Sequence, residues 1–314
     1  MRKWENEKGR GIRLINLGLV LLLVNIMNGA ENAREDFMEM VFVKGGTFLM
    51  GKAEGFIEER PVHEVILSDY YIGKYEVTQK QFREVMGFDE EYDVGAGDDY
   101  PVYNVSWYEA AEFCNRLSDR EGLRRCYIIS GEENWSDYLR NGQPCLGGQV
   151  IGEKRDFTVC DFTADGYRLP TEAEWEFAAK GGNQSRDYKY SGSNWLLLVG
   201  WHYWNSNKHP HKAGRLRANE LGIYDMSGNL IEWCYDWYGK YYASTQIDPI
   251  GGEEHVSRSL RGGTWKYDEV ASRTTFRCNG VPVHKFNYFG FRVCRKAEEN
   301  KAFNHQPHEP HENK

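Results

Sequence analysis

Tyr167-Arg-Leu-Pro-Thr-Glu-Ala-Glu-Trp-Glu-Phe177 is the stretch on which the reading of this 314-residue chain turns. Thr171, followed three residues later by Glu174, forms a capping box, in which hydroxyl and carboxylate satisfy orphan backbone N–H groups at a helix start. The helix behind it presents Trp175 and Ala178, and Gly181-Gly182 supplies a glycine C-terminal stop. Upstream the device recurs in Thr78-Gln79-Lys80-Gln81 and Ser106-Trp107-Tyr108-Glu109. Phe82, Val85 and Met86 share one helical face, as do Ala110, Phe113, Cys114 and Leu117. Nearer the start, Met40-Val41-Phe42-Val43 and Thr47-Phe48-Leu49-Met50 are apolar runs around Lys44-Gly45-Gly46. They predict a hairpin whose glycines supply the positive φ of its turn. Residues 62–67 alternate in part and predict another strand. Beyond Gly182 no strong helical period returns, and glycine and aromatic residues dominate. The expected class is α+β, with short strands and long loops in one domain over 37–296.

Composition agrees with a folded chain. It is 40% hydrophobic and 27% charged, which excludes a disordered polymer. Ten Trp, twenty Tyr and fifteen Phe with 33 Gly suggest a loop-rich fold pinned by large rings. A formal charge of −8 argues against nucleic acid as the main partner.

The first thirty residues differ. Arg2, Lys3, Lys8, Arg10 and Arg13 precede the apolar run Leu14 to Met27, and the small residues Gly29 and Ala30 follow. This reads as a signal peptide over 1–30 and an extracytoplasmic location, periplasmic or secreted. An uncleaved membrane anchor and a buried helix are the alternatives, although the run is short for a bilayer span of about 20 residues. Residues 131–156 read as a polar surface insertion. The tail 297–314, with His305, His308 and His311, reads as solvated, a soft-metal site being the alternative.

Seven cysteines are present: Cys114, Cys126, Cys145, Cys160, Cys234, Cys278 and Cys294. Export would favour pairing and leave at least one unpaired. No CxxC or zinc-finger spacing occurs, so a structural zinc is not expected.

Several motifs in order resemble one family. Gly45-Gly-Thr-Phe-Leu-Met-Gly51 and Lys74-Tyr-Glu-Val-Thr78 open it. Asn104-Val-Ser-Trp107 with Ala110-Ala111, then the 167–177 stretch, form its middle. Gly222-Ile-Tyr-Asp-Met-Ser-Gly-Asn229 with Glu232-Trp233 and Asp236-Trp237 follow. Arg261-Gly-Gly-Thr-Trp265 and Gly290-Phe-Arg-Val293 close it. Together they resemble the formylglycine-generating enzyme, or sulfatase-modifying-factor, family. The resemblance implies a compact domain of low regular secondary structure related to the C-type-lectin fold.

It also implies a chemistry, the oxidation of a client sulfatase cysteine to formylglycine with dioxygen and copper(I). Two thiolates five residues apart hold that copper, and soft thiolates suit the ion. In the matching segment Arg273-Thr-Thr-Phe-Arg-Cys278 the second position is Cys278, but the first is Arg273. Arginine cannot ligate a cation. Cys278 is then a vestigial ligand, a small buried hydrophobe or a disulfide partner. The family's calcium site maps onto Asp225 and Glu232 through side chains and Gly228 and Leu230 through carbonyls, an oxygen set suited to calcium. Local capping or ion pairing of Asp225 and Glu232 is the alternative. A second family calcium site has no counterpart around residues 194–207.

By the same resemblance Cys114 and Cys294 fall at or beside positions that exported members join by a disulfide. Cys126 and Cys160, which flank the insertion, are the second pairing considered. His63 reads as a strand residue, and His202, His209 and His211 read as part of a structural loop, with metal seating the alternative in both cases. The His-x-x-x-His-x-Glu iron signature of the ergothioneine branch is absent. Trp233, Trp237 and Trp265 read as core, a ligand-stacking box being the alternative.

Two functions compete. One is a non-oxidising member that binds a protein or a glycan through loops on a rigid frame. The other is a copper-dependent oxidase that uses Cys278 with an unconventional partner such as Cys234. A client protein such as a sulfatase, or a glycan or protein ligand, is the expected partner. Membrane association is expected only if the first segment stays uncleaved.

Overall fold

The computed structural model describes residues 37–129, 158–252 and 256–297. The expected signal segment, the insertion with Cys145 and nearly all of the tail lie outside the described residues. The chain divides into two compact units, Met1–Glu39 and Met40–Lys314, and the second is described below.

Three α-helices begin where the capping boxes place them. They are α1 (Gln79–Met86), α2 (Trp107–Glu121) and α3 (Glu172–Ala179). At α3 the Thr171 hydroxyl accepts the Glu174 N–H at 3.2 Å and the Glu174 carboxylate accepts the Thr171 N–H at 2.8 Å. Lys180 caps the other end, and Gly181 turns the chain away with φ 91°. Every residue of α3 is buried, because β-strands and loops cover it on all sides.

The strands are short. The first seven are β1 (Met40–Val43), β2 (Gly46–Met50), β3 (His63–Leu67), β4 (Tyr70–Gly73), β5 (Tyr127–Ile129), β6 (Thr158–Cys160) and β7 (Tyr167–Arg168). The rest are β8 (Ile231–Trp237), β9 (Gln246–Ile247), β10 (Arg258–Arg261), β11 (Cys278–Gly280), β12 (Phe289–Gly290) and β13 (Cys294–Lys296). They form sheets in the orders β1-β4-β13-β7, β11-β10-β8-β12 and β2-β3-β9, with a separate β5-β6 ribbon. Mixed small sheets and few helices bear out the α+β, loop-rich expectation.

One local expectation fails. β1 and β2 do not pair with each other as a hairpin. β1 pairs with β4 from Met40↔Gly73 to Val43↔Tyr70, and β2 pairs with β3 from Gly46↔Leu67 to Met50↔His63. The adjacent strands thus enter two different sheets. Gly45 has no positive φ. Its role is close approach, since a Cβ there would lie 2.2 Å from the Leu67 carbonyl oxygen.

Large rings tie the layers together, each polar edge satisfied as burial demands. The Trp107 indole N–H donates to the Cys234 carbonyl at 2.8 Å, and Trp233 donates to Val105 O at 2.9 Å. Trp233 and Trp265 are buried, as the core reading expects, whereas Trp237 is half-buried under the Arg258 guanidinium, 3.6 Å from its ring centre. His63 is a buried strand residue, its Nδ1 3.1 Å from Pro61 O.

A tight turn precedes β8. Gly228 has φ 87°, donates its N–H to Gly262 O at 2.7 Å, and would place a Cβ 2.2 Å from the Trp201 carbonyl oxygen. Both the left-handed backbone and the contact exclude a side chain. Gly228→Ala should therefore cost about 1–3 kcal/mol and lower the thermal midpoint by several degrees. A midpoint within one degree of wild type in a calorimetric scan would contradict this.

Candidate functional site

Arg273 and Cys278 do not face each other. Arg273 lies in the loop before β11 and turns to buried Glu59, donating from its two terminal nitrogens at 2.9 and 2.6 Å. The Thr275 hydroxyl completes the set by donating to Glu59 at 2.7 Å. The guanidinium is a structural counter-ion, held by a paired geometry that a point charge would not give.

Cys278 opens β11 and lines a cavity of about 260 Å³ with Tyr267, His284, Phe286, Tyr288 and Phe289. Its Sγ contacts the Asn279 carbonyl at 3.8 Å, and burial pushes the thiol pKa up. A neutral thiol is a poor nucleophile and a poor copper ligand. Cys234, the unconventional partner considered from sequence, is in β8, and β10 lies between β8 and β11. Two strand spacings separate them by about 9–10 Å, so they do not form a joint thiolate site.

The calcium-type residues sit at a buried charge cluster. Glu232 accepts both arms of Arg292, at 2.6 and 2.7 Å, and the Trp175 indole N–H at 2.8 Å. Leu230 donates its N–H to Glu76 at 2.9 Å, and Asn229 donates to the other oxygen of Glu76 at 2.6 Å. Asp225 accepts the Gly214 N–H at 2.7 Å, while its second oxygen is buried without a partner. Burial, with the charge of Glu232 added, raises the Asp225 carboxyl to about 6. Burial, with Asp225 and Glu232 nearby, also pushes Glu76 well above the usual range. Three carboxylates thus face one guanidinium, a charge balance that a divalent cation would complete. Geometrically the fit is incomplete: among the described residues no three His, Cys, Asp or Glu side chains converge as a metal-ligating group. Glu232 is already the counter-ion of Arg292.

A third cluster was not read from sequence. Glu172 holds Arg277 through contacts of 2.6 and 2.7 Å and accepts the Ser259 hydroxyl at 2.9 Å. Burial alone would raise its carboxyl, yet Arg277 and Arg261 bring it below the usual value. Asp236 accepts the Glu172 N–H at 2.7 Å but lacks a cation of its own, so burial and the charge of Glu172 lift it to about 8. With Glu172, Arg277, Tyr241 and His63 it lines a cavity of about 90 Å³. Glutamates on a helix whose other faces are apolar demand counter-charges, and that is the signal that could have pointed to Arg261 and Arg277.

The histidine loop does not form a metal cluster. His211 stacks on Trp201 with ring centres 3.7 Å apart, and its Nε2 is 2.8 Å from Ser206 O. His209 engages Pro210 O at 2.8 Å, and His202 is buried. The six described cysteines are free thiols, so neither expected disulfide is formed in this structure. Cys294 instead directs its thiol to Glu174 at 3.6 Å, whereas Cys126 sits just before β5, beside the Cys160 end of β6.

Comparison with known proteins places this arrangement. The sulfatase-modifying factor enzyme 1-like domain matches residues 27–297. Chaperone protein LppX of Paenibacillus barcinonensis is 37% identical over 278 residues, covering 82% of this chain and 89% of the relative. A formylglycine-generating enzyme of Thermomonospora curvata is 30% identical, covering 81% of this chain and 92% of the enzyme. Among solved structures, Treponema denticola variable protein 1 superposes with a TM-score of 0.70 at 31% identity, over 82% of this chain and 95% of the other.

The Asp236 cluster predicts a pH dependence. Its folded-state pKa of about 8 lies above the ordinary 3.8, so the folded chain holds a proton that the unfolded chain releases. That stability is present below the unfolded pKa and is lost as pH rises towards 8. Asp236→Asn keeps an acceptor for the Glu172 N–H and cannot ionise. Its thermal midpoint should fall less than that of wild type between pH 5 and 8, and should be the higher of the two at pH 8. Parallel curves would rule out the assignment.

Proposed function

This chain belongs to the sulfatase-modifying-factor family, and from that premise we propose that it is an exported, non-oxidising member that binds a protein client. One observation carries the reading. At the position where the family resemblance puts the first copper thiolate, Arg273 is committed to a two-armed ion pair with buried Glu59. A guanidinium there adds positive charge where Cu(I) needs soft anionic donors. The remaining thiol, Cys278, is neutral and faces an aromatic cavity. That cavity suits the capture of an apolar or aromatic side chain, because rings provide contact area with little conformational entropy to lose. A relative named as a chaperone supports a protein client over a glycan. Export rests on the basic and apolar pattern of residues 1–30.

The copper oxidase remains the second reading, favoured by the accessible cavity at Cys278 and by the likeness to a formylglycine-generating enzyme. One incubation separates the two. Purified protein with Cu(I), oxygen and a sulfatase-type Cys-x-Pro-x-Arg peptide should leave the peptide mass unchanged. Cu(I) competition should give equally weak binding for wild type and Cys278→Ser. Aldehyde formation, or tight copper binding that vanishes in Cys278→Ser, would reverse the proposal.

Calcium forms a separable part of the proposal. Asp225, with its unpartnered buried oxygen, and Glu76 are the groups that would face the cation, which would balance their charge beside Arg292. Binding to the folded state alone adds about 2.7 kcal/mol at a hundredfold excess over Kd. The wild-type melting midpoint should rise in calcium relative to chelator, and Asp225→Ala should lose most of that rise. Glu232→Ala is the poorer variant, because it strands Arg292 whether or not calcium binds. Identical wild-type melts with calcium and with chelator would refute the site.

A further inference from the structure

Four buried cysteines surround one fixed guanidinium. Arg168 of β7 is clamped by Glu174 through contacts of 2.6 and 2.7 Å. Its charge acts on Cys114, Cys126, Cys160 and Cys294. Cys294 lies directly across from Arg168 in the β7–β13 ladder, and α2, which carries Cys114, packs against β7. The four thiols are not equivalent. Cys294 is engaged by Glu174, and Cys114 is wholly buried on α2. Cys126 and Cys160 sit at the same end of the β5–β6 ribbon.

The backbone sets the two residues side by side, Cys126 just before β5 and Cys160 at the end of β6. β5 and β6 form an antiparallel ribbon in which Tyr127 is opposite Cys160, and the Asp161 N–H donates to Cys126 O at 2.7 Å. The register therefore brings Cys126 beside the end of β6. The ribbon is also superficial: Ile128 is 66% exposed and Val159 55% exposed. Cys160, at 9%, is the most accessible of the four thiols around Arg168. The charges facing the pair are Arg168, which favours thiolate, and Asp161 and Asp165, which oppose it.

We propose that Cys126 and Cys160 are a redox-active pair, a site of thiol–disulfide exchange whose reactant is a small-molecule or protein disulfide, while Cys114 and Cys294 stay reduced. One thiolate of the pair attacks one sulfur of the incoming disulfide, breaks its S–S bond and expels one thiolate. The second thiol of the pair then gives up its proton, and its sulfur attacks the first in the mixed disulfide, expelling the second thiolate. The incoming disulfide takes two electrons and ends as two thiols, which carry the two protons lost by Cys126 and Cys160. The product cross-links the ends of β5 and β6 and restricts the unfolded chain. The inference stands apart from the question of copper chemistry.

The test uses the full reduced chain, incubated anaerobically with oxidised glutathione, then denatured, alkylated and digested with trypsin. Titratable thiols should fall from seven, and the loss should be two. The peptide starting at Cys126 after Arg125 should be joined to the Cys160 peptide that follows Arg155. The oxidised form should melt at a higher temperature, and Cys126→Ser should remove the link. An unchanged thiol count, glutathione adducts without an internal bond, or a bond at Cys114–Cys294 or Cys145 would each overturn the proposal. The wild-type peptide map decides the matter even if Cys126→Ser fails to fold.

Discussion

A helix buried on every side that carries three glutamates is the constraint on which this structure depends. Glu172, Glu174 and Glu176 of α3 are buried, and an unpaired carboxylate in such a place costs several kcal/mol. Each is answered by arginine from a different part of the chain. Arg168 comes from β7, Arg261 from β10 and Arg277 from the segment before β11. Arg261 reaches both Glu172 and Glu176, and Glu176 also accepts the Gly51 N–H at 2.8 Å. The helix thereby fixes the positions of three strands and of the loop after β2. Such pairs add little net stability compared with an apolar core, but removing one partner strands the other. Their contribution here is to register: the sheets meet α3 in the arrangement that matches the charges.

The same rule extends outward. Glu232 is matched by Arg292, and Glu59 by Arg273. Among the described residues, Asp236, Asp225 and Glu76 are buried without a dedicated cation, and burial raises the affinity of each for a proton. Functional potential therefore concentrates where the pairing is incomplete. Asp236 borders a cavity, and Asp225 keeps an unused buried oxygen. Arg273 shows the opposite outcome, a residue at a suspected chemical position drawn fully into the structural network.

The thiols follow the network as well. Glu174 engages both Arg168 and the thiol of Cys294, while Cys126 and Cys160 sit together at one end of the β5–β6 ribbon. A rigid frame of paired charges and indoles thus carries loops, a ribbon and an aromatic cavity whose chemistry can differ among relatives that share the fold.

By itself the sequence determined the helices, the class and the family. Capping boxes at Thr78, Ser106 and Thr171 are contained within four consecutive residues, so their reading needs no knowledge of the rest of the chain. The ordered motifs from Gly45 to Val293 likewise survive as linear text. Pairing partners were decided only by tertiary structure. The apolar runs flanking Lys44-Gly45-Gly46 look like two arms of a hairpin, yet one arm pairs with β4 and the other with β3, and Gly45 serves close packing against Leu67. The fates of Glu232 and Arg273 were also beyond a linear reading. Their partners lie 60 and 214 residues away, and a charged side chain shows its counter-ion only when the chain has brought the two together. Local hydrogen bonding is written in neighbouring residues, whereas the choice of a counter-ion or a strand partner is a property of the folded whole.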